Sequence, residues 1–106
     1  MIYKLDLTPQ EMKALGFRYD HSTDSYTYEF PAYRSHGKTT LYCKIGIDEE
    51  TKYVWFNVYD NEKKLYSPYY NRTCGKSNVI KIVDSNISKE LVRLGAIEVE
   101  DYKYDA

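Results

Sequence analysis

From Phe17 to Tyr70 apolar and polar residues alternate almost one by one, and four polar clusters interrupt the alternation: His21-Ser22-Thr23-Asp24, Ser35-His36-Gly37-Lys38, Asp48-Glu49-Glu50-Thr51 and Asp60-Asn61-Glu62-Lys63. A period of two sends successive side chains to opposite faces of a strand, so this stretch is constrained to β-structure that turns at the clusters. If each cluster closes a hairpin as a four-residue loop, the strand registers follow. The first loop sets Tyr19 against Tyr26 and Phe17 against Tyr28. The second sets Tyr26 against Ile47, Tyr28 against Ile45, Phe30 against Cys43 and Ala32 against Leu41. The third sets Ile45 against Val54, Cys43 against Phe56 and Leu41 against Val58, and the fourth sets Val58 against Leu65. Apolar meets apolar at every step, and a one-residue slip would send a strand's hydrophobic set to the other side.

The expected fold is therefore α+β, a five-strand antiparallel β-meander with strands at about 17–20, 25–34, 39–48, 52–59 and 64–70, in a single domain spanning 1–106. Thr8-Pro9-Gln10-Glu11 reads as a capping box with proline in the first turn, predicting a short N-terminal helix over about 9–15 that Gly16 ends in a left-handed conformation. Ile2 to Leu5 reads as a short edge strand. The apolar sheet face needs a cover, and Val79, Ile80, Val83, Ile87, Leu91 and Leu94 recur at helical spacing, predicting a C-terminal amphipathic helix over about 77–94, with Gly95 as terminator. Asp84, Ser85 and Asn86 are poor helix formers and mark where that helix would divide in two. The remaining 96–106 reads as a tail that opens with a short strand at Ala96 to Val99.

Composition limits what such a domain does. Sixteen acids against fifteen bases give a net charge of -1, which argues against a dedicated duplex-DNA binder and against an acidic DNA mimic. Neither an export signal nor a run of apolar residues long enough for a membrane span is visible, so a cytoplasmic location is expected. In that setting Cys43 and Cys74 are expected to stay unpaired.

Thirteen of the 106 residues are tyrosine, and the same registers gather many of them on the face that the helix leaves bare. Glu29, Lys44 and Trp55 align across three strands with Tyr42 beside them, and Tyr53, Tyr59, Tyr66, Tyr70 and Tyr33 lie on that side too. A wet antiparallel face ordinarily carries Thr, Lys and Glu, whereas this one presents an indole and several phenols. Tyrosine also favours strands, and Lys44 packed on Trp55 would be an ordinary cation-π contact, which is the purely structural reading. The functional reading is a recognition patch of rigid aromatic area centred on Trp55, with Tyr42, Lys44, Tyr53, Tyr59, Tyr66 and Tyr70 as the partner-binding set. Its partner is an unidentified protein or, as a homodimer, a second copy. Single-stranded nucleic acid stacked on the same face is the alternative, supported by Lys44, Arg34, Lys52 and Arg72 but opposed by the charge balance and by the missing RNA-reading motif.

No catalytic, cofactor or metal signature is visible, and the chain is not expected to be an enzyme. His21 and His36 fall on successive turns at opposite ends of the sheet. Asp48, Glu49 and Glu50 lack the spacing of a calcium loop. Cys74-Gly75-Lys76-Ser77 ends like a phosphate-binding loop, yet Tyr70 stands where the first glycine belongs. Asn71-Arg72-Thr73 fits a glycosylation acceptor, which has meaning only in a secreted eukaryotic chain. The tyrosine-, lysine-, aspartate- and isoleucine-rich composition and the opening Met1-Ile2-Tyr3-Lys4-Leu5 resemble uncharacterised small accessory proteins of prophages and other mobile elements of Gram-positive bacteria. That resemblance implies a protein that binds a host or phage protein without turning over a substrate.

Overall fold

A computed structural model, described here for residues 2–70 and 78–99, gives an α+β fold. The order is β1 (Ile2–Lys4), α1 (Pro9–Leu15), β2 (Arg18–Asp20), β3 (Ser25–Ser35), β4 (Lys38–Ile47), β5 (Val54–Asp60), α2 (Ser67–Tyr70), α3 (Asn78–Arg93) and β6 (Ile97–Val99). Strands β2-β3-β4-β5 form one antiparallel sheet in sequence order. The short terminal strands β1 and β6 pair with each other, and an isolated bridge between Lys4 and Tyr53 ties them to the start of β5.

Local chemistry sets each boundary. Thr8 accepts the Glu11 amide while the Glu11 carboxylate accepts the Thr8 amide, the full capping box. Gly16, at φ 104°, ends α1, and the Phe17 amide reaches back to the Met12 carbonyl. This left-handed stop turns buried Phe17 onto the Tyr28 ring, 5.3 Å between centroids. The first hairpin has the expected register, Tyr19 opposite Tyr26. The second pairs Tyr28 with Ile45 and Phe30 with Cys43 as expected, but its loop is tighter: Ser35 pairs with Lys38 around His36 and Gly37, both at positive φ. That is the two-residue turn whose twist matches the strands. Past Pro31 the register slips at a bulge, so Leu41 faces Tyr33 and not Ala32.

The third and fourth hairpins depart from the sequence reading. Asp48 accepts the amides of Glu50 and Thr51 through its carboxylate and exchanges backbone bonds with Tyr53 and Lys52, so Asp48 belongs to the stem and Lys52 takes the left-handed position. The register moves by two: Ile45 faces Phe56, Cys43 faces Val58 and Ile47 faces Val54. An even shift keeps every side chain on its expected face but changes its neighbours. In the fourth loop the Asp60 carboxylate accepts the amides of Glu62 and Lys64, and Lys63 is left-handed. This adds one residue, so Tyr59 and not Val58 bridges Leu65. The odd shift turns Leu65 outward, 55% exposed, and Tyr66 onto the core. The expected fifth strand over 64–70 is thus absent beyond that bridge, because the chain enters α2 with Pro68 in its first turn, where a missing N–H costs nothing.

Helix α3 covers the inner face with Ile80, Val83, Ile87 and Leu91, and it is continuous through Asp84, Ser85 and Asn86. Its polar side chains explain why no break occurs. Asp84 accepts the Tyr69 hydroxyl at 2.7 Å, Asn86 donates to the Ala32 carbonyl at 2.8 Å, Ser88 bonds the Tyr3 hydroxyl at 2.6 Å, and Glu90 accepts the Tyr28 hydroxyl at 3.1 Å. Several core tyrosines therefore place a ring inside and hand their hydroxyl to the helix. Among the described residues no buried side-chain polar atom lacks a partner. Gly95 closes α3, with the Ala96 amide on the Leu91 carbonyl and both residues buried.

Candidate functional site

The sheet face opposite α3 is built from three cross-strand rows: Thr27–Gly46–Trp55, Glu29–Lys44–Asn57 and Pro31–Tyr42–Tyr59. The two-residue shift of β5 separates Trp55 from Lys44 and sets it opposite Gly46. A Cβ on Gly46 would stand 2.1 Å from Trp55 Cζ2, so the indole lies flat over the glycine and fills the missing side chain's place. Trp55 is half-buried by this contact, and Thr27, at the far end of the row, is buried. The expected Lys44–Trp55 contact is replaced by cation-π contacts of Lys4 on Tyr53 and Lys13 on Tyr26.

Lys44 turns the other way. Its Nζ lies 2.9 Å from Asp20 Oδ2, while Asp20 Oδ1 accepts both the amide and the hydroxyl of Ser22. The Ser22 hydroxyl and the Lys44 ammonium together hold the Asp20 carboxyl far below the ordinary carboxylate range. The same bond to Asp20 raises Lys44, with the Glu29 carboxylate adding to it. Lys44 therefore bypasses Glu29, its direct cross-strand neighbour, which stays exposed beside the phenols.

Beside this pair the face hollows into an open concavity of ≈ 430 Å³, where Tyr42 and Tyr59 meet Glu29, Lys44, Asn61 and Lys63. Tyr42 and Tyr59 are direct cross-strand partners, and among the described residues neither hydroxyl is committed to a hydrogen bond. The wall made by Asn61 and Lys63 was not legible in the sequence, because the extra residue in the fourth loop that lifts it there leaves no periodic signal.

Of the sequence-expected partner-binding set, Tyr42, Lys44 and Tyr59 come together in this concavity. The other four have structural work. Trp55 covers Gly46, and Tyr53 sits at the junction of the two sheets under Lys4. Tyr66 packs on the core. Tyr70 is 47% exposed, but its hydroxyl accepts the Val58 amide at 2.9 Å on the outer edge of β5. The concavity thus gathers three of the seven expected residues, and Trp55 is not in its lining.

His21 packs edge-on against Tyr19, and His36 occupies the tight turn at the other end of β3. Among the described residues no group of His, Cys, Asp and Glu is arranged to hold a metal, and no helix is long and apolar enough to cross a membrane. Cys43 is free and buried, and burial pushes its thiol far above its ordinary range. The phosphate-loop-like Cys74 to Ser77, the Asn71 triplet, Arg72 and the tail beyond Val99 lie outside the described residues. Compared with the known protein families, with curated proteins and with solved structures, the chain matches none.

Proposed function

We propose that the protein is a non-enzymatic interaction module that receives a protruding segment of a partner protein in the Tyr42–Tyr59 concavity. The observation that carries this reading is the uncommitted phenol pair. The hydroxyls of Tyr3, Tyr28, Tyr69 and Tyr70 are spent on named internal partners, whereas Tyr42 and Tyr59 stand side by side in the lining of the concavity with neither hydroxyl bonded. Rigid aromatic area rimmed by Glu29 and Lys63 supplies contact at low entropic cost with a polar border. A concave face suits a convex occupant; a second copy of the same face would enclose a void that forfeits dispersion contacts. Glu29 at the rim disfavours a phosphate backbone. Within this reading the partner is a host or phage protein, as the resemblance to mobile-element accessory proteins implies.

A photo-crosslinking residue placed at Tyr42 should give a discrete protein adduct in cells, absent when the same residue replaces exposed Glu49 and lost when Tyr59→Ala is added. Equal adducts from positions 42 and 49 would overturn the reading. A ladder of self-adducts would transfer it to homodimerisation, and a mobility shift of labelled oligothymidylate would transfer it to single-stranded nucleic acid.

A further inference from the structure

A second surface lies along the edge of the sheet that β2 leaves uncovered, between β3 and α3. Strand β2 covers only Ser25 to Thr27 of β3, and along the uncovered stretch β3 and α3 frame a groove of ≈ 490 Å³. Pro31, Tyr33 and Arg34 form one wall, and Ile82, Asn86 and Lys89 form the other. The helical residues at 82, 86 and 89 are spaced by four and three, a single stripe turned toward β3.

Strand addition is blocked on this side of β3. Pro31 lacks an N–H, the bulge at Ala32 interrupts the ladder, and the Ala32 carbonyl is already taken by Asn86. Recognition in the groove must therefore use side chains, and those left over share one sign. Arg34 and Lys89 are exposed, and among the described residues neither is paired with a carboxylate. Glu90, the one acid in the lining, is already held by Arg93 and by the Tyr28 hydroxyl. In the same lining Ile82 is 46% exposed, a large aliphatic side chain left open to solvent. In a chain of net charge -1 the pairing of two unpaired cations with an apolar anchor is a local reversal of the overall balance.

We infer that the β3–α3 groove binds an acidic segment of a partner protein that carries an apolar side chain, its carboxylates meeting Arg34 and Lys89 and its apolar group resting on Ile82. The aliphatic anchor favours a peptide over a nucleic-acid strand, which would want a stacking platform or a longer row of cations. The inference does not depend on the Tyr42–Tyr59 concavity, so either surface can fail while the other stands.

The test is fluorescence anisotropy with a fluorescein-labelled peptide carrying a central Leu-Phe pair flanked by glutamates. It should bind the wild-type protein, and its affinity should fall about tenfold or more with Lys89→Glu or Arg34→Glu, each a charge reversal at the contact. Lys89→Gln, which removes a charge without adding one, should weaken it less, and Ile82→Ser should weaken it without changing its salt dependence. Tyr42→Ala should leave it unchanged. The inference is overturned if the peptide fails to bind at concentrations up to millimolar, if Lys89→Glu and Arg34→Glu bind like wild type, if a lysine-flanked peptide binds equally well, or if oligothymidylate binds in its place.

Discussion

The indole of Trp55 occupies the space that a side chain on Gly46 would need, with 2.1 Å between Trp55 Cζ2 and the position of a Cβ there. Gly46 has no positive φ, so its need for glycine is steric. Replacing Gly46 with alanine must lift the indole, at a cost of about 1–3 kcal/mol typical of overpacking. Urea denaturation followed by Trp55 fluorescence should show both the lowered midpoint and a native emission shifted toward the red. An unchanged spectrum and midpoint would show that the indole does not cover Gly46. On the same grounds Trp55→Ala, which uncovers Gly46, should lower stability.

The bulge in β3 is held by one bond from α3. Ala32 is fully buried, and the Asn86 amide is the donor to its carbonyl. Asn86→Ala leaves that carbonyl unsatisfied, a loss of about 1–3 kcal/mol, and Asn86→Asp should be worse at neutral pH because it sets a carboxylate against a carbonyl. Thermal melts of the two variants, ordered wild type above alanine above aspartate, check this. The reverse order would mean that the bulge carbonyl has another donor.

The Asp20–Lys44 pair gives the outer face an acid-sensitive clamp. The carboxyl of Asp20 is depressed in the fold by the Ser22 hydroxyl and Lys44, so its contribution is present above its unfolded pKa, about 3.9, and is lost as pH falls through the much lower folded value. Wild-type stability should therefore decline below about pH 4, and Asp20→Asn should show a shallower decline over the same range. Parallel acid titrations of the two proteins by circular dichroism decide it: coincident slopes would remove Asp20 from the account.

How far the sequence carried the fold depended on whether an error in loop length was even or odd. At Asp48 the carboxylate caps the loop from within the stem, and the resulting two-residue shift left Ile45, Cys43 and Val58 facing inward as the alternation requires. At Asp60 the same Asx chemistry added one residue, reversed Leu65 and Tyr66, and dissolved the fifth strand. Alternation specifies a face, not a neighbour, so Lys44 and Trp55 were placed on the right side but not in contact. The C-terminal helix was legible from its aliphatic spacing. Its continuity was not, because the partners that engage Asp84, Asn86 and Ser88 come from Tyr69, Ala32 and Tyr3, distant in sequence.

With no fifth strand alongside it, β5 would present bare backbone at Val58. Two tyrosines of the segment that follows take over that pairing: the Tyr66 amide donates to the Val58 carbonyl, and the Val58 amide donates to the Tyr70 hydroxyl, both at 2.9 Å. An unpaired edge is a template for association with another chain, so the Tyr70 hydroxyl acts here as an edge cap. Tyr70→Phe retains the ring and its edge-on contact with Tyr69 but removes the acceptor. The expected loss is about 1 kcal/mol, modest because Tyr70 is half open to water that can replace it. The sharper readout is local: exchange of the Val58 amide should accelerate by roughly fivefold, the factor that corresponds to about 1 kcal/mol, while amides in β4 keep their wild-type protection. Uniform acceleration across the sheet would instead assign Tyr70 a global role, and an unchanged Val58 amide would mean that the hydroxyl caps nothing.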